Sequence, residues 1–79
     1  MSPTIFREGP YRFYFFSREE ARIHTHVASS EGEAKFWMEP AIELVENHGI
    51  PARELSRIEE AIRSHERQIR TAWQRHFGG

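Results

Sequence analysis

At 79 residues and a formal net charge of −1, the chain lies near the lower size limit for independent folding and has no overall charge that favours nucleic acid. It contains no cysteine, which excludes disulfide bonds and thiolate zinc sites, and its six Phe, two Trp and two Tyr residues must supply much of the core. The N-terminus has no signal-peptide pattern and no stretch approaches the roughly 20 apolar residues that span a bilayer, so we expect a soluble cytoplasmic protein that binds no membrane.

Residues 4–16 are predicted to form two strands around a turn, because Gly and Pro mark a reversal between two aromatic-rich segments. Alternation along the second strand places Phe13 and Phe15 on one face and Tyr14 and Phe16 on the other. We expect Phe13 and Phe15 to face the core.

Two further strands follow. Residues 23–27 alternate again, with His24 and His26 on one face, and a segment of turn composition leads to a last strand over 33–38. Four strands in hairpin order predict an antiparallel meander over residues 1–39.

The pattern changes to helical periodicity from residue 40. Residues 40–49 have the composition of a short helix, with Pro suited to its first turn and Gly to its C-terminal cap. Residues 51–77 predict one long amphipathic helix, because apolar residues recur three or four positions apart at Leu55, Ile58, Ile62, Ile69, Trp73 and Phe77. The predicted fold is therefore α+β: a four-stranded meander, a short helix and a long helix packed on the sheet, in a single domain of residues 1–79.

His24 and His26 form the first candidate site. Residues i and i+2 of a strand share a face with Cα atoms roughly 6.5–7 Å apart, so both imidazoles can contact one metal ion, phosphate or transferred proton. A metal site usually needs a third protein ligand, which here has to come from a distant residue. The alternative is a pair of polar side chains on the exposed face of a half-buried strand, and we predict no resident metal or cofactor.

The second candidate is an arginine stripe on the long helix. Arg63, Arg67 and Arg70 lie at i, i+4 and i+7, so they can form a ridge that binds phosphates of a nucleic acid or another anion. Glu59 and Glu66 each precede an arginine by four residues, which is the favourable order for an ion pair. A solvated, salt-bridged helix face is the alternative.

The third candidate is the aromatic surface of the sheet. Tyr14, Phe16 and Trp37 can bind a partner or stack bases, with Arg12 and Lys35 nearby to contact phosphates. Core packing is the alternative, because an aromatic strand is more often buried.

Four segments in this order resemble the small bacterial family called domain of unknown function 4160: TIFREGPYRFYFFS at 4–17, HTHV at 24–27, GEAKFW at 32–37 and WQRHFG at 73–78. Members usually place two prolines before the first histidine, whereas this chain has Arg22 and Ile23. The resemblance implies a bacterial protein often encoded beside a second small protein, of domain of unknown function 2442. That arrangement suggests a toxin–antitoxin pair.

Together these features lead to one main hypothesis and two alternatives. The main hypothesis is a non-enzymatic interaction module of a toxin–antitoxin-like pair, which binds a small protein from a neighbouring gene and has RNA or DNA as a further target; homo-oligomerisation is left open. The first alternative is a metal-independent ribonuclease that uses His24 and His26 as general acid and base. The second is a metal-binding protein.

Overall fold

The computed structural model describes residues 4–16 and 22–78 of the chain, so that residues 1–3 and 17–21 of the segment predicted to form the sheet lie outside the described part. The described residues form five strands and then two helices: β1 Thr4–Glu8, β2 Tyr11–Tyr14, β3 His24–Ser29, β4 Gly32–Trp37, β5 Glu43–His48, α1 Ala52–Ser64 and α2 Glu66–Phe77. Each strand pairs antiparallel with the next, in the order β1-β2-β3-β4-β5. The predicted α+β class and antiparallel sheet are confirmed, but the sheet has five strands instead of four.

The short helix predicted over residues 40–49 is wrong, because Glu43–His48 form the edge strand β5. An isolated helix shorter than about 12 residues is marginally stable in water, whereas pairing with β4 gives the same segment inter-strand hydrogen bonds. The pairing also sets Lys35 opposite Glu46, a favourable cross-strand charge pair. Tertiary pairing thus overrides the helical composition of the segment.

The end of β5 is fixed by a side-chain clamp and by two glycines. The side chain of Asn47 donates to the carbonyl oxygen of Ile50 at 2.9 Å and accepts from the N–H of the same residue at 3.0 Å. Gly49 has φ of +98°, a conformation that L side chains rarely adopt. A Cβ atom on Gly32 would meet the carbonyl oxygen of His48, so the close approach of β4 and β5 requires glycine at position 32.

The long helix predicted over residues 51–77 is divided at His65 into α1 and α2. The expected number of helices, two, is therefore right, but both lie within this one segment. The backbone N–H of His65 donates to the carbonyl oxygens of Ala61 and Ile62 at 3.1 and 3.2 Å, and its ring Nδ1 lies 2.9 Å from the oxygen of Ala61. The ring also stacks on Phe6 at 4.0 Å between centroids, so the break lies where this side chain packs against the sheet.

The two helices bury one face of the sheet. Phe13 and Phe15 are 0% and 1% exposed, which confirms the prediction that they face the core. Trp73 of α2 packs edge-on against Phe15, with ring centroids 5.2 Å apart. Further large core residues include Val27, Phe36, Met38, Ile58, Ile62 and Ile69. No helix among the described residues is long and apolar enough to span a bilayer.

The first turn of α1 is tied to the sheet by Tyr11. Its hydroxyl group donates to Oε1 of Glu54 at 2.7 Å. A hydrogen bond with Glu54 raises the pKa of Glu31, while hydrogen bonds from Tyr11 and Glu31 lower the pKa of Glu54. The side chains of Tyr11, Glu31 and Glu54 thus interact where the β3–β4 turn meets α1.

The close contact between β4 and β5 predicts that a methyl group added at Gly32 destabilises the fold. Gly32→Ala is expected to lower the free energy of unfolding by about 1–3 kcal/mol, because the added Cβ overlaps backbone atoms that cannot move without separating the strands. Urea denaturation measures this change. Ser30→Ala, in the exposed turn beside it, serves as the control and is expected to stay within about 0.5 kcal/mol of the unmodified chain. Equal stability of Gly32→Ala and the unmodified chain would contradict the contact.

Candidate functional site

The face of the sheet away from the helices carries aromatic and charged side chains in register, and we call it the outer face. Strand pairing aligns Tyr14 with His26, His26 with Lys35 and Lys35 with Glu46, and cross-strand partners share a face. The outer face comprises Arg12, Tyr14, Phe16, Arg22, His26, Glu33, Lys35, Trp37, Glu43, Glu46 and His48. It thus brings together the five residues of the predicted aromatic surface, Arg12, Tyr14, Phe16, Lys35 and Trp37, with His26 of the predicted histidine pair.

An aromatic cluster surrounds His26. The His26 ring stacks on Tyr14 with centroids 5.3 Å apart and meets Phe16 edge-on at 4.4 Å. Phe16 in turn lies 5.6 Å from Tyr14, whose hydroxyl donates to Glu33 at 3.3 Å. Tyr14 is only 5% exposed, whereas Phe16 is 45% exposed. The cluster therefore holds Phe16 at a defined position on the surface.

A shallow pocket of about 170 Å³ lies between this cluster and β5. Phe16, His26 and Lys35 line it together with Glu46 and His48, and the last two lie 3.3 Å apart, from carboxylate oxygen to ring Nε2. Sites for drug-sized ligands have volumes of about 300–1,000 Å³. The pocket is smaller than that and is suited to a single side chain.

Cations lie over the aromatic rings of the outer face. The guanidinium carbon of Arg12 is 4.6 Å from the centroid of the Tyr14 ring. Arg22 and Lys35 lie 4.1 and 4.6 Å from that of Trp37. Each such contact contributes about 0.5–1 kcal/mol at an exposed site. The rings of Tyr14 and Trp37, predicted as stacking platforms, are therefore covered by cations.

His24 is a buried packing residue at the junction of the sheet and α2. Its exposure is 0%, and its ring lies 5.1 Å from Trp73, 5.6 Å from Trp37 and 5.2 Å from His26, centroid to centroid. Its Nδ1 is 2.7 Å from the carbonyl oxygen of Arg22, and since a carbonyl only accepts, Nδ1 carries the proton in this bond. The two histidines are close, as their spacing predicts, but His24 has no exposed surface for a ligand.

The alternative of a metal-binding protein depends on a third ligand beside this pair. Within residues 4–16 and 22–78, no three side chains of His, Asp or Glu are grouped so that they can hold a metal ion. The described residues therefore offer no ready ligand set for a metal site of the usual kind.

The three arginines of the predicted helical stripe differ in their ion pairs. Arg63 donates to Glu59 and Arg70 donates to Glu66, each at 3.0 Å, in the i to i+4 arrangement that the sequence offers as an alternative to a phosphate ridge. Arg67 is exposed, and the break at His65 separates Arg63 from the other two. Arg63, Arg67 and Arg70 therefore do not form one continuous ridge of three unpaired guanidinium groups.

Arg70 also connects α2 to the loop after β4. Its guanidinium group donates to Glu39 at 2.8 Å and to the carbonyl oxygen of Met38 at 2.9 Å. Partial burial alone would lower the pKa of Arg70, but hydrogen bonds to Glu66 and Glu39 outweigh burial and raise it. Arg70 therefore has a structural role in this fold.

Five residues of the outer face are absent from the sites predicted on the sheet: Arg22, Glu33, Glu43, Glu46 and His48. Arg22 lies before β3 and reaches Trp37 from outside the strands, so no periodicity identifies it. Glu43, Glu46 and His48 are missed as neighbours on the sheet because residues 40–49 have helical composition. The β-branched residues Ile42 and Val45 are the local features that favour a strand in this short segment.

The burial of His24 predicts a difference between the two histidines. His24→Ala is expected to lower the free energy of unfolding by about 2 kcal/mol or more, because it leaves a cavity between Trp37 and Trp73. His26→Ala, at a half-buried position, is expected to cost clearly less. Urea denaturation of both variants measures the two changes in the free energy of unfolding. A His24→Ala variant as stable as the unmodified chain would show that His24 is not a packing residue and would favour a catalytic pair.

A family model described as Domain of unknown function (DUF4160) matches residues 11–74. The matched span runs from the start of β2 into α2 and contains every residue of the outer face. No curated protein and no solved structure matches the chain.

Proposed function

The chain belongs to the family described as Domain of unknown function (DUF4160), and from this premise we propose that it is an interaction module that binds a protein partner through the outer face. The observation that carries the proposal is that Phe16 is 45% exposed and lies beside a pocket of side-chain size. Protein interfaces combine an aromatic centre with a polar rim that exchanges ion pairs and hydrogen bonds. The outer face has this composition.

The charge of the outer face favours a protein over a nucleic acid. Surfaces that bind nucleic acid are strongly positive, because their affinity comes largely from contacts with phosphates. Here three cations are balanced by three carboxylates: Arg12, Arg22 and Lys35 against Glu33, Glu43 and Glu46. Two of the rings that bases would stack on, Tyr14 and Trp37, already have cations over them. The outer face is therefore assigned to a protein partner. RNA or DNA is proposed only as a target of the assembled pair.

The edge strand β5 extends the proposed contact surface. It borders the pocket through Glu46 and His48, and it carries two exposed apolar side chains, Leu44 at 39% and Val45 at 37%. An edge strand presents unpaired backbone groups to which a partner can add a strand. A partner that covers the pocket can thus also pair with β5.

We take the partner to be a small protein of the domain of unknown function 2442 family, encoded by a neighbouring gene and acting with this chain in the cytoplasm as a toxin–antitoxin-like pair. This part of the proposal rests on the family resemblance. Self-association through the outer face is the competing possibility.

A ribonuclease that uses His24 and His26 is the weaker candidate function. A general acid or base must come within hydrogen-bond reach of the substrate. His24 is fully buried between two tryptophan rings, and only His26 borders the pocket. The geometry therefore supports binding better than acid–base catalysis.

Loss of the Phe16 ring is expected to weaken the complex. After co-expression and purification of the two proteins, isothermal titration calorimetry should show binding to the Phe16→Ala variant weaker by about 2 kcal/mol, because exposed aromatic residues at interface centres behave as hot spots. Glu60→Gln, at an exposed position of α1, is the control and is expected to bind like the unmodified chain. Circular dichroism melting checks that both variants fold.

Absence of a heterocomplex on co-expression would contradict the proposal, and so would unchanged affinity in Phe16→Ala. Light scattering on the isolated chain provides a further test. A stable homo-oligomer that Phe16→Ala dissociates would assign the outer face to a second copy of this chain and would also contradict the proposal.

A further inference from the structure

A groove of about 730 Å³ lies between β1 and α2 and shares no lining residue with the pocket of the outer face. Its apolar part is formed by Ile5, Phe15 and Ala72, and the exposed side chains of Arg67 and Arg75 lie along α2. Its volume is within the range of about 300–1,000 Å³ that is common for binding sites.

The charge of this groove has one sign. The titratable side chains among the described residues that line it are all basic: His65, Arg67, Arg75 and His76. Glu8 approaches the groove at one end, where its carboxylate is 3.7 Å from His65 Nδ1. Neither Arg67 nor Arg75 forms an ion pair with any residue that the structure describes, in contrast to Arg63 and Arg70. Two arginines on one helix face are thus available to an acidic ligand.

The spacing of the two arginines indicates an extended ligand. Arg67 and Arg75 are eight residues apart on α2, which is about 12 Å along the helix axis. Residues i and i+4 of an extended peptide are about 13 Å apart and share a face with residue i+2. An extended segment can therefore place two carboxylates at the arginines with one side chain between them.

We propose that this groove binds an extended acidic segment of a protein, with two carboxylates at Arg67 and Arg75 and an aliphatic side chain between them over Ile5 and Ala72. The proposal concerns a second surface and does not depend on the outer face. A nucleic acid fits less well, because the floor of the groove is apolar and its phenylalanine, Phe15, is 1% exposed and cannot stack on a base.

Fluorescence anisotropy with a labelled peptide that contains Glu-Ser-Leu-Ser-Glu tests the fit. Two control peptides replace either both Glu residues by Gln or the Leu residue by Ser. We expect each control to bind about tenfold more weakly or worse, since one lacks both ion pairs and the other lacks the apolar contact.

Variants of α2 locate the binding. The double variant Arg67→Gln/Arg75→Gln is expected to reduce affinity for the acidic peptide about tenfold. Thr71→Glu, which adds a negative charge between the two arginines, is expected to do the same. Arg63→Gln removes an arginine outside the groove, and Phe16→Ala changes the outer face. Both should leave the affinity unchanged.

Three results would overturn the proposal. One is an acidic peptide that binds the unmodified chain no more tightly than the control peptides do. Another is unchanged affinity in the double variant, with its fold confirmed by thermal melting. The third is tighter binding of a short oligothymidylate than of the peptide through the same arginines, which would make the groove a nucleic-acid site.

Discussion

Two helices of 13 and 12 residues bury one face of a five-stranded sheet, and this constraint shapes the rest of the molecule. Side chains alternate between the faces of a strand, so Phe13 and Phe15 pack under the helices while Tyr14 and Phe16 lie on the outer face. There Arg12 covers Tyr14, and two other cations cover a tryptophan. The exposed ring of Phe16 is what a partner can bury with the greatest gain.

The part of the fold that depends on local periodicity could be predicted from the sequence. Turn residues, aromatic content and the alternation of the second and third strands identify the first four strands and the core positions Phe13 and Phe15. Three- to four-residue spacing identifies the helical face. β5 shows neither the two-residue alternation of a strand nor the three- to four-residue spacing of a helix. Its strand conformation depends on pairing with β4. The break between α1 and α2 involves the stacking of His65 on Phe6, a residue far away in the sequence. Interactions of this kind leave no local pattern.

The candidate site could be predicted in its location more than in its chemistry. Spacing places His24 and His26 on one face, and they are neighbours, but the burial of His24 depends on Trp73 from α2. Arg12 and Lys35 lie on the predicted face, but there they contact aromatic rings, whereas the sequence predicts that they contact phosphates. These tertiary contacts shift the balance from catalysis by a histidine pair to binding by an aromatic and charged surface.

The proposed partner binding through the outer face is tested most directly by NMR chemical-shift mapping of the isotope-labelled chain during titration with the proposed partner, the small protein that the family resemblance implies. The largest amide shifts and line broadening are expected at Phe16 and along β3 to β5, near His26, Lys35 and Glu46, while α1 stays unchanged. Shifts confined to α1, with the amides of the outer face unaffected, would contradict the account.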